Sequence, residues 1–537
     1  MRCQNLLVPV LFLTQACGGA FSASQGDAAQ PNVDAGPETG EGDGGESDAQ
    51  DTADGADAGE TEAGDIPIAP PVCTRDEVLC GGACVSRNDP AYGCGTCTPC
   101  ALSHATAACK SGVCTVGACE TGRSNCDNDA TNGCEVDLAN APGNCGACSN
   151  LCPPVTNAAP TCANGQCGFT CNSGFTACGH ACCHVATGLA LGLYHACALT
   201  SVGGVRCWGI NGKGELGNGS TTESHLPVDV SGLSSGVAAI AAGSSHTCAL
   251  ATGGGVKCWG LNDRGQLGNN STANSGAPVD VAGLVAVGIA AGAYHTCAIT
   301  SAGGVKCWGA NYSGQLGNNT SGNVSSVPVN VSGLTAGVSS LALGSGHSCA
   351  RTTGGGVKCW GYNGHGQIGN NSTTDSHVPV DVLGVSGVAE IATAVGHTCA
   401  RTSGGAIQCW GWNLYGQLGD NSTTDSPVPE PVWGFGSSAT AVAANGVTTC
   451  ARTTAGGVKC WGANGNGQLG NNSNTDSHVP ADVTELGSGV ASIAAGVDYN
   501  CALMTGGNVK CWGQNNHGQL GNNATVNSLV PVDVTGL

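Results

Sequence analysis

One short string recurs through two-thirds of this chain, and no other feature restricts its fold as tightly. Gly204 opens "GVRCWGINGKGELGN", Gly255 "GVKCWGLNDRGQLGN" and Gly304 "GVKCWGANYSGQLGN". Gly356 opens "GVKCWGYNGHGQIGN", Gly405 "GAIQCWGWNLYGQLGD", Gly457 "GVKCWGANGNGQLGN" and Gly507 "GNVKCWGQNNHGQLGN". Glycine-rich loops can cradle phosphates, but a phosphate loop is single and leads one strand into one helix. Evenly spaced copies indicate a repeat architecture instead.

Each repeat alternates short β-branched runs with Gly-Gly, Asn-Gly and Pro, and has no helical period. Four short strands per repeat make one blade of a β-propeller. The expected fold is therefore all-β: a seven-bladed β-propeller over 186–537. It follows a disulfide-rich, loop-rich module over 72–185 and a disordered acidic linker over 24–71. The cysteines agree with this register. Cys197 and Cys207, Cys248 and Cys258, Cys297 and Cys307, Cys349 and Cys359, Cys399 and Cys409, Cys450 and Cys460, and Cys501 and Cys511 keep one constant separation. With a hairpin tip at Thr252–Gly254, Cys248 falls opposite Cys258, and opposed Cα atoms lie within disulfide reach. Seven intra-blade disulfides are expected; two ligands per blade are too few for closed zinc sites. The first repeat starts late, at "HAC", and the chain ends on "VPVDVTGL". The strand near Val530–Val534 is thus expected to complete the blade begun near Leu189–Leu199, closing the ring.

Composition places the chain outside the cytosol. It has 36 Cys and 90 Gly in 537 residues, with 10% charged residues, which suits a disulfide-stapled, loop-rich protein. Residues 1–23 read as a secretory signal, with an apolar run from Leu6 to Leu13 too short to span a bilayer. Cys17, before Gly18-Gly19, resembles the lipidated cysteine of bacterial lipoproteins; the alternative is ordinary cleavage near Ala20 or Ala23. Membrane contact is expected only through such an anchor. The net charge of −21 is concentrated in the linker, which holds acids and no Lys or Arg. Such a segment cannot bury enough surface to offset its ordering entropy. No basic face suits nucleic acid.

In the module, Cys94, Cys97, Cys100, Cys109, Cys114, Cys119 and Cys126 match Cys145, Cys148, Cys152, Cys162, Cys167, Cys171 and Cys178 in order. This density reads as a disulfide framework of undetermined connectivity rather than zinc. "CDNDATNGCE" groups Asp127, Asp129, Asn132 and Glu135 around Gly133, the oxygen ligands and turn glycine that a structural calcium loop uses. It lacks the full EF-hand spacing, so a polar turn is the alternative. No other cofactor is expected.

The strings "G-x-x-H-x-C-A-L", "W-G-x-N" and "G-Q-L-G" resemble the regulator of chromosome condensation family across residues 186–537. The resemblance implies a seven-bladed propeller. It does not imply one activity, because this family uses the fold as a display platform.

Candidate site residues follow from where the repeats differ. His195, His246, His295, His347 and His397 recur and read as blade packing, with Thr448 and Tyr499 replacing them. Arg206, Lys257, Lys306, Lys358, Lys459 and Lys510 either lay their stems along a neighbouring Trp or form a cationic ring. Arg351, Arg401 and Arg452, with Tyr312, Tyr362, Trp412, Tyr415 and Trp433, form the expected binding arc, since partner surfaces favour aromatics and Arg. No catalytic constellation stands out. The expected function is a non-enzymatic, secreted or surface-anchored binding platform for a protein at the cell envelope. A carbohydrate-binding surface, motivated by Trp412, Tyr415 and Trp433, is the alternative; a propeller lyase or hydrolase is a third class.

Overall fold

A computed structural model of the chain describes residues 71–178 and 180–537. The signal at 1–23, Cys17 and the 24–71 linker as far as residue 70 lie outside the described residues. Residues Pro71–Leu537 form one compact unit.

The first part of that unit is a series of two-stranded hairpins, among them Glu77–Cys80 with Ala83–Ser86, Ala105–Lys110 with Val113–Cys119, and Ala158–Ala163 with Gln166–Cys171. Two-stranded ribbons are marginal alone, and here disulfides join them. The pairing repeats between the two cysteine units. Cys94–Cys109, Cys100–Cys114 and Cys119–Cys134 correspond to Cys145–Cys162, Cys152–Cys167 and Cys171–Cys182. Cys126–Cys148 ties one unit to the next. The two three-cysteine clusters whose sulfurs could suggest a metal, Cys94/Cys100/Cys114 and Cys145/Cys152/Cys167, consist of these bonded sulfurs.

From Ala186 onward the chain forms seven four-stranded antiparallel blades. We letter the strands a to d from the channel outward. In blade 1 they are Ala186–Leu191, His195–Thr200, Val205–Gly209 and Ser224–Asp229. Blades 2 and 3 share a continuous strand, Ser275–Ala291, which is d of one and a of the other. Strand b meets c with His246 opposite Gly260 and Cys248 opposite Cys258, and the same register holds around the ring.

This register makes every b–c cysteine pair a disulfide, as the sequence predicts. Cys197 is bonded to Cys207, Cys248 to Cys258, Cys297 to Cys307 and Cys349 to Cys359. Cys399 is bonded to Cys409, Cys450 to Cys460 and Cys501 to Cys511. Their Cα atoms lie 4.0–4.1 Å apart. All of these sulfurs are buried, so they brace blades and offer nothing to a ligand. Each outer strand carries a proline, such as Pro227, Pro379 and Pro531, which discourages edge pairing with other chains.

Ring closure differs from the sequence expectation. Ser528–Asp533 is the outer strand of blade 7, and Ala186–Leu191 is the inner strand of blade 1, so no strand is exchanged. "ATGLAL" supplies the missing inner strand without the usual V-x-x-I-A-A pattern. Every blade is contiguous in sequence, and the ring closes through contacts between neighbours.

Those contacts repeat. The backbone carbonyl of the Gln in "GQLG" accepts two hydrogen bonds from the next blade. For Gln266 the donors are the Trp308 indole, at 2.9 Å, and the Thr296 hydroxyl, at 3.0 Å. The hydroxyl then accepts from Nε2 of His246, at 2.9 Å. Because the hydroxyl donates to the carbonyl, the imidazole carries its proton on Nε2. The same chain of bonds links His295 to Ser348, His347 to Thr398 and His397 to Thr449. All five histidines are fully buried, and burial pushes their pKa values down to about 3 or 4. They are packing elements, held neutral.

The two exceptions compensate. Blade 7 has Asn500 where blades 2 to 6 have Thr or Ser, donating to the Gln468 carbonyl, and blade 6 before it has Thr448 in place of His. Blade 1 has Ala196 there, and Tyr499 replaces His, its hydroxyl donating to the His195 carbonyl. A Trp, a Leu or Ile and Val side chains fill each seam, as with Trp360, Leu316, Val305 and Val331 between blades 3 and 4.

Candidate functional site

An antiparallel blade sends alternate connections to opposite ends. The a–b turns and c–d loops form one face of the ring, here the loop face. The b–c hairpins and d–a connections form the other, the hairpin face. This separates the residues expected to act together. Tyr312, Tyr362, Trp412 and Tyr415 lie in c–d loops. Arg351, Arg401 and Arg452 lie on b strands near the hairpin tips, and Trp433 follows the outer strand Ser426–Pro431 on the hairpin side.

The arginines are staples between blades rather than a binding arc. Arg351 donates to Ser340 Oγ and to the Val388 carbonyl of the next blade, both at 3.3 Å. Arg452 donates to Thr440 Oγ1 at 3.0 Å and the Val490 carbonyl at 2.6 Å. Arg401 pairs with Glu390 at 3.0 Å, and the same carboxylate oxygen accepts from the Val442 amide of blade 6. Their side chains are only partly exposed and already engaged.

The strand-c cations are also engaged. Arg206, Lys257, Lys358, Lys459 and Lys510 pair with Asp229, Asp280, Asp381, Asp482 and Asp533, at 2.6–3.0 Å. The two blades that break the pattern break it on the outer strand as well: Lys306 faces Asn330, and Gln408 faces Pro431. The sequence carries this signal as a fixed Lys-to-Asp interval, absent where either partner is absent. The cations therefore form ion pairs along the outer strands rather than a bare cationic ring.

The loop face gathers aromatic groups on one side. Tyr362 meets His365 edge-on with ring centroids at 6.4 Å. His365 stacks on Trp412 at 5.4 Å, and Trp412 meets Tyr415 at 5.9 Å. Asp425 holds His365 Nδ1 at 2.8 Å and also accepts from the Asn413 amide. Gly346 and Gly396 lie directly beneath Tyr362 and Trp412, where an added Cβ would press on the aromatic side chain. Two seams earlier, Arg264 of blade 2 lies between Tyr294 and Tyr312 of blade 3, at 5.2 and 5.1 Å from their centroids. Sequence reasoning missed Arg264 and Tyr294, because a cation–π pair across a blade seam has no linear spacing.

Trp433, 62% exposed, shares no surface with Trp412 and Tyr415, so the trio that motivated a carbohydrate platform is divided. At the loop-face end of the channel is a cavity of about 70 Å³ lined by Gly192, Gly243, Gly292, Gly344 and Asn445. Small-molecule sites run to about 300–1,000 Å³. A larger recess, about 720 Å³, lies where Thr176 and Ala177 face Asn508 and Leu537; its one acid, Asp533, is paired with Lys510.

The expected calcium ligands are engaged in their own turn. Asp127 accepts from the Asp129 amide and Asn132 Nδ2, Asp129 from the Thr131 amide and hydroxyl, and Glu135 from the Cys126 amide. Hydrogen bonds from Thr131 lower the Asp129 pKa. Among the described residues these carboxylates do not converge on one point.

Comparison with known proteins fits this geometry. The profile of the RCC1-like domain matches residues 286–537. Profiles of the regulator of chromosome condensation (RCC1) repeat match 186–215 and 237–266, and 203–250 and 254–299. The chain belongs to the RCC1 repeat family. Among curated relatives, the ultraviolet-B receptor UVR8 of Arabidopsis thaliana is 30% identical over 64% of this chain and 56% of its own length. The probable E3 ubiquitin-protein ligase HERC4 of Homo sapiens is 33% identical over 62% of this chain and 32% of its own. The RCC1-repeat chain thus spans little more than half the length of UVR8 and about a third of HERC4. Human WBSCR16 superposes with a TM-score of 0.56 at 25% identity, covering 62% of this chain and 94% of that one. Yeast RCC1 (Prp20), in complex with Kap60, superposes at 0.55 and 20% identity, covering 65% and 85%, a likeness of fold.

Proposed function

We propose that this protein is a non-enzymatic, extracytoplasmic platform that binds a macromolecular partner, a protein, through the loop face of its propeller. The observation that carries the reading is the aromatic run Tyr362–His365–Trp412–Tyr415. It is assembled from loops of two blades, half-exposed, and placed beside a channel mouth too small for a ligand pocket. Aromatic groups held rigid by their neighbours are what protein-binding hot spots use. RCC1-like relatives serve as binding or regulatory proteins, which suits a platform. Disulfides in every blade suit an oxidising compartment, and among the described residues no helix is long and apolar enough to cross a membrane. Residues 1–23 would direct export, with Cys17 as the site of a lipid anchor, and Asp127 to Glu135 would serve as a turn.

The test is affinity capture with the oxidised full chain on beads, offered envelope proteins and, separately, envelope polysaccharides. Saturable retention of a defined protein, weakened by Trp412→Ala and unchanged by Trp433→Ala, is the expected result. Retention of polysaccharide alone would overturn the protein-platform reading.

A further inference from the structure

The loop face has a charge pattern that selects the chemistry of its partner. The c–d loops of blades 4, 5 and 6 carry Asp375, Asp420, Asp425 and Asp476 and no Lys or Arg. The a–b turns beside them, Ser345-Gly346, Val395-Gly396 and Gly446-Val447, are uncharged. Asp425 and Asp476 are exposed, and Asp375 is half-exposed. The aromatic run from Tyr362 to Tyr415 lies among these carboxylates.

One seam of the same face shows how such a surface treats a cation. Arg264, half-buried, lies between two tyrosine rings of the next blade, with Asp263 at 3.6 Å from its guanidinium. Across the seam of blades 4 and 5 a ring and a carboxylate again meet one side chain, because His365 stacks on Trp412 and pairs with Asp425 of the next blade. Here a histidine stands in the position of Arg264, and among the described residues no guanidinium or ammonium group lies over the outer ring faces. Aromatic faces attract cations, more strongly when a partner excludes water. Nearby carboxylates raise the rate of encounter and fix register more than they raise affinity.

We propose that the partner presents a basic polypeptide segment, whose Arg or Lys side chains stack on Trp412, Tyr362 and Tyr415 and pair with Asp375, Asp425 and Asp476. This rests on the platform reading and specifies its ligand. An acidic partner would meet like charge across three blades, which costs binding energy.

The experiment uses the oxidised full chain and a fluorescein-labelled peptide of alternating Arg and Ser, with the Glu–Ser peptide as control. Fluorescence anisotropy is expected to show binding of the first peptide alone. Trp412→Ala and the Asp425→Asn/Asp476→Asn pair should each weaken it about fivefold, and Trp433→Ala should leave it unchanged. Tyr362→Ala, at an exposed ring, is the second variant should Trp412→Ala lower the unfolding midpoint. Binding of the Arg peptide that ignores all loop-face variants would assign it to the acidic residues at 24–65 and overturn the inference. Capture of a protein that depends on Trp412 but not on Asp425 and Asp476 would also overturn it, while leaving the platform reading intact.

Discussion

The cysteine-rich part and the propeller both use disulfides, but for different purposes. Between residues 71 and 185, the buried side chains among the described residues are all cysteines: Cys80, Cys94, Cys134, Cys145, Cys152 and Cys182. That region has sulfur where a larger domain has a core, as small domains with little apolar volume require. Each propeller seam already buries a tryptophan with leucine or isoleucine and valine around it. There the disulfide is added to a core that exists without it. The same covalent bond is a substitute for packing in one region and a supplement in the other.

The comparison breaks most visibly under reduction. Dithiothreitol without denaturant should abolish hydrogen-exchange protection over 71–185 and leave the blade strands protected, because the propeller sulfurs are inaccessible. Equal loss in both regions would end the distinction. Next in size, Trp360→Ala should cost about 3–5 kcal/mol, read as a lower urea midpoint of the propeller transition. Replacing Cys248 and Cys258 together by Ala should cost less, about 2–3 kcal/mol; a larger loss than that of Trp360 would mean that sulfur, not packing, holds the blades.

The smallest effect per side chain comes from pH. Burial lowers the pKa of the five seam histidines in the folded state, so the unfolded chain binds more protons below its own histidine pKa, about 6.5. Stability is fully present above that value and is lost as pH falls toward about 3 or 4. Between pH 7 and 6 each histidine should remove roughly 0.7 kcal/mol. Urea midpoints of the propeller transition across that interval check the sign.

The sequence made some of this architecture legible and concealed the rest for physical reasons. Blade count, hairpin register and cysteine pairing were readable, because a strand's two-residue period and a fixed turn leave one alignment of Cys248 with Cys258. Closure of the ring was misread, because "ATGLAL" forms an inner strand by its place in the sheet rather than by its β-branched content. Arg351, Arg401 and Arg452 looked like a binding arc because they broke a pattern. Their partners, Ser340, Glu390, Thr440 and carbonyls one blade onward, are contacts between elements that no local spacing encodes. The aromatic run was visible residue by residue; its division from Trp433 needed the two faces.

Contiguous blades also determine how the molecule answers a pulling force. With no strand shared between its ends, the ring has no backbone zipper across the junction of blades 7 and 1. That junction is held by packing around Trp208 and by dispersed hydrogen bonds, among them the Trp208 indole on the Gln519 carbonyl, Tyr499 on the His195 carbonyl, Arg206 on the Gly536 carbonyl, and the Ala186 amide on the Gly507 carbonyl. Tension applied between Ala186 and Leu537 would load these contacts first, opening the ring as a fan while each disulfide-locked blade stays whole.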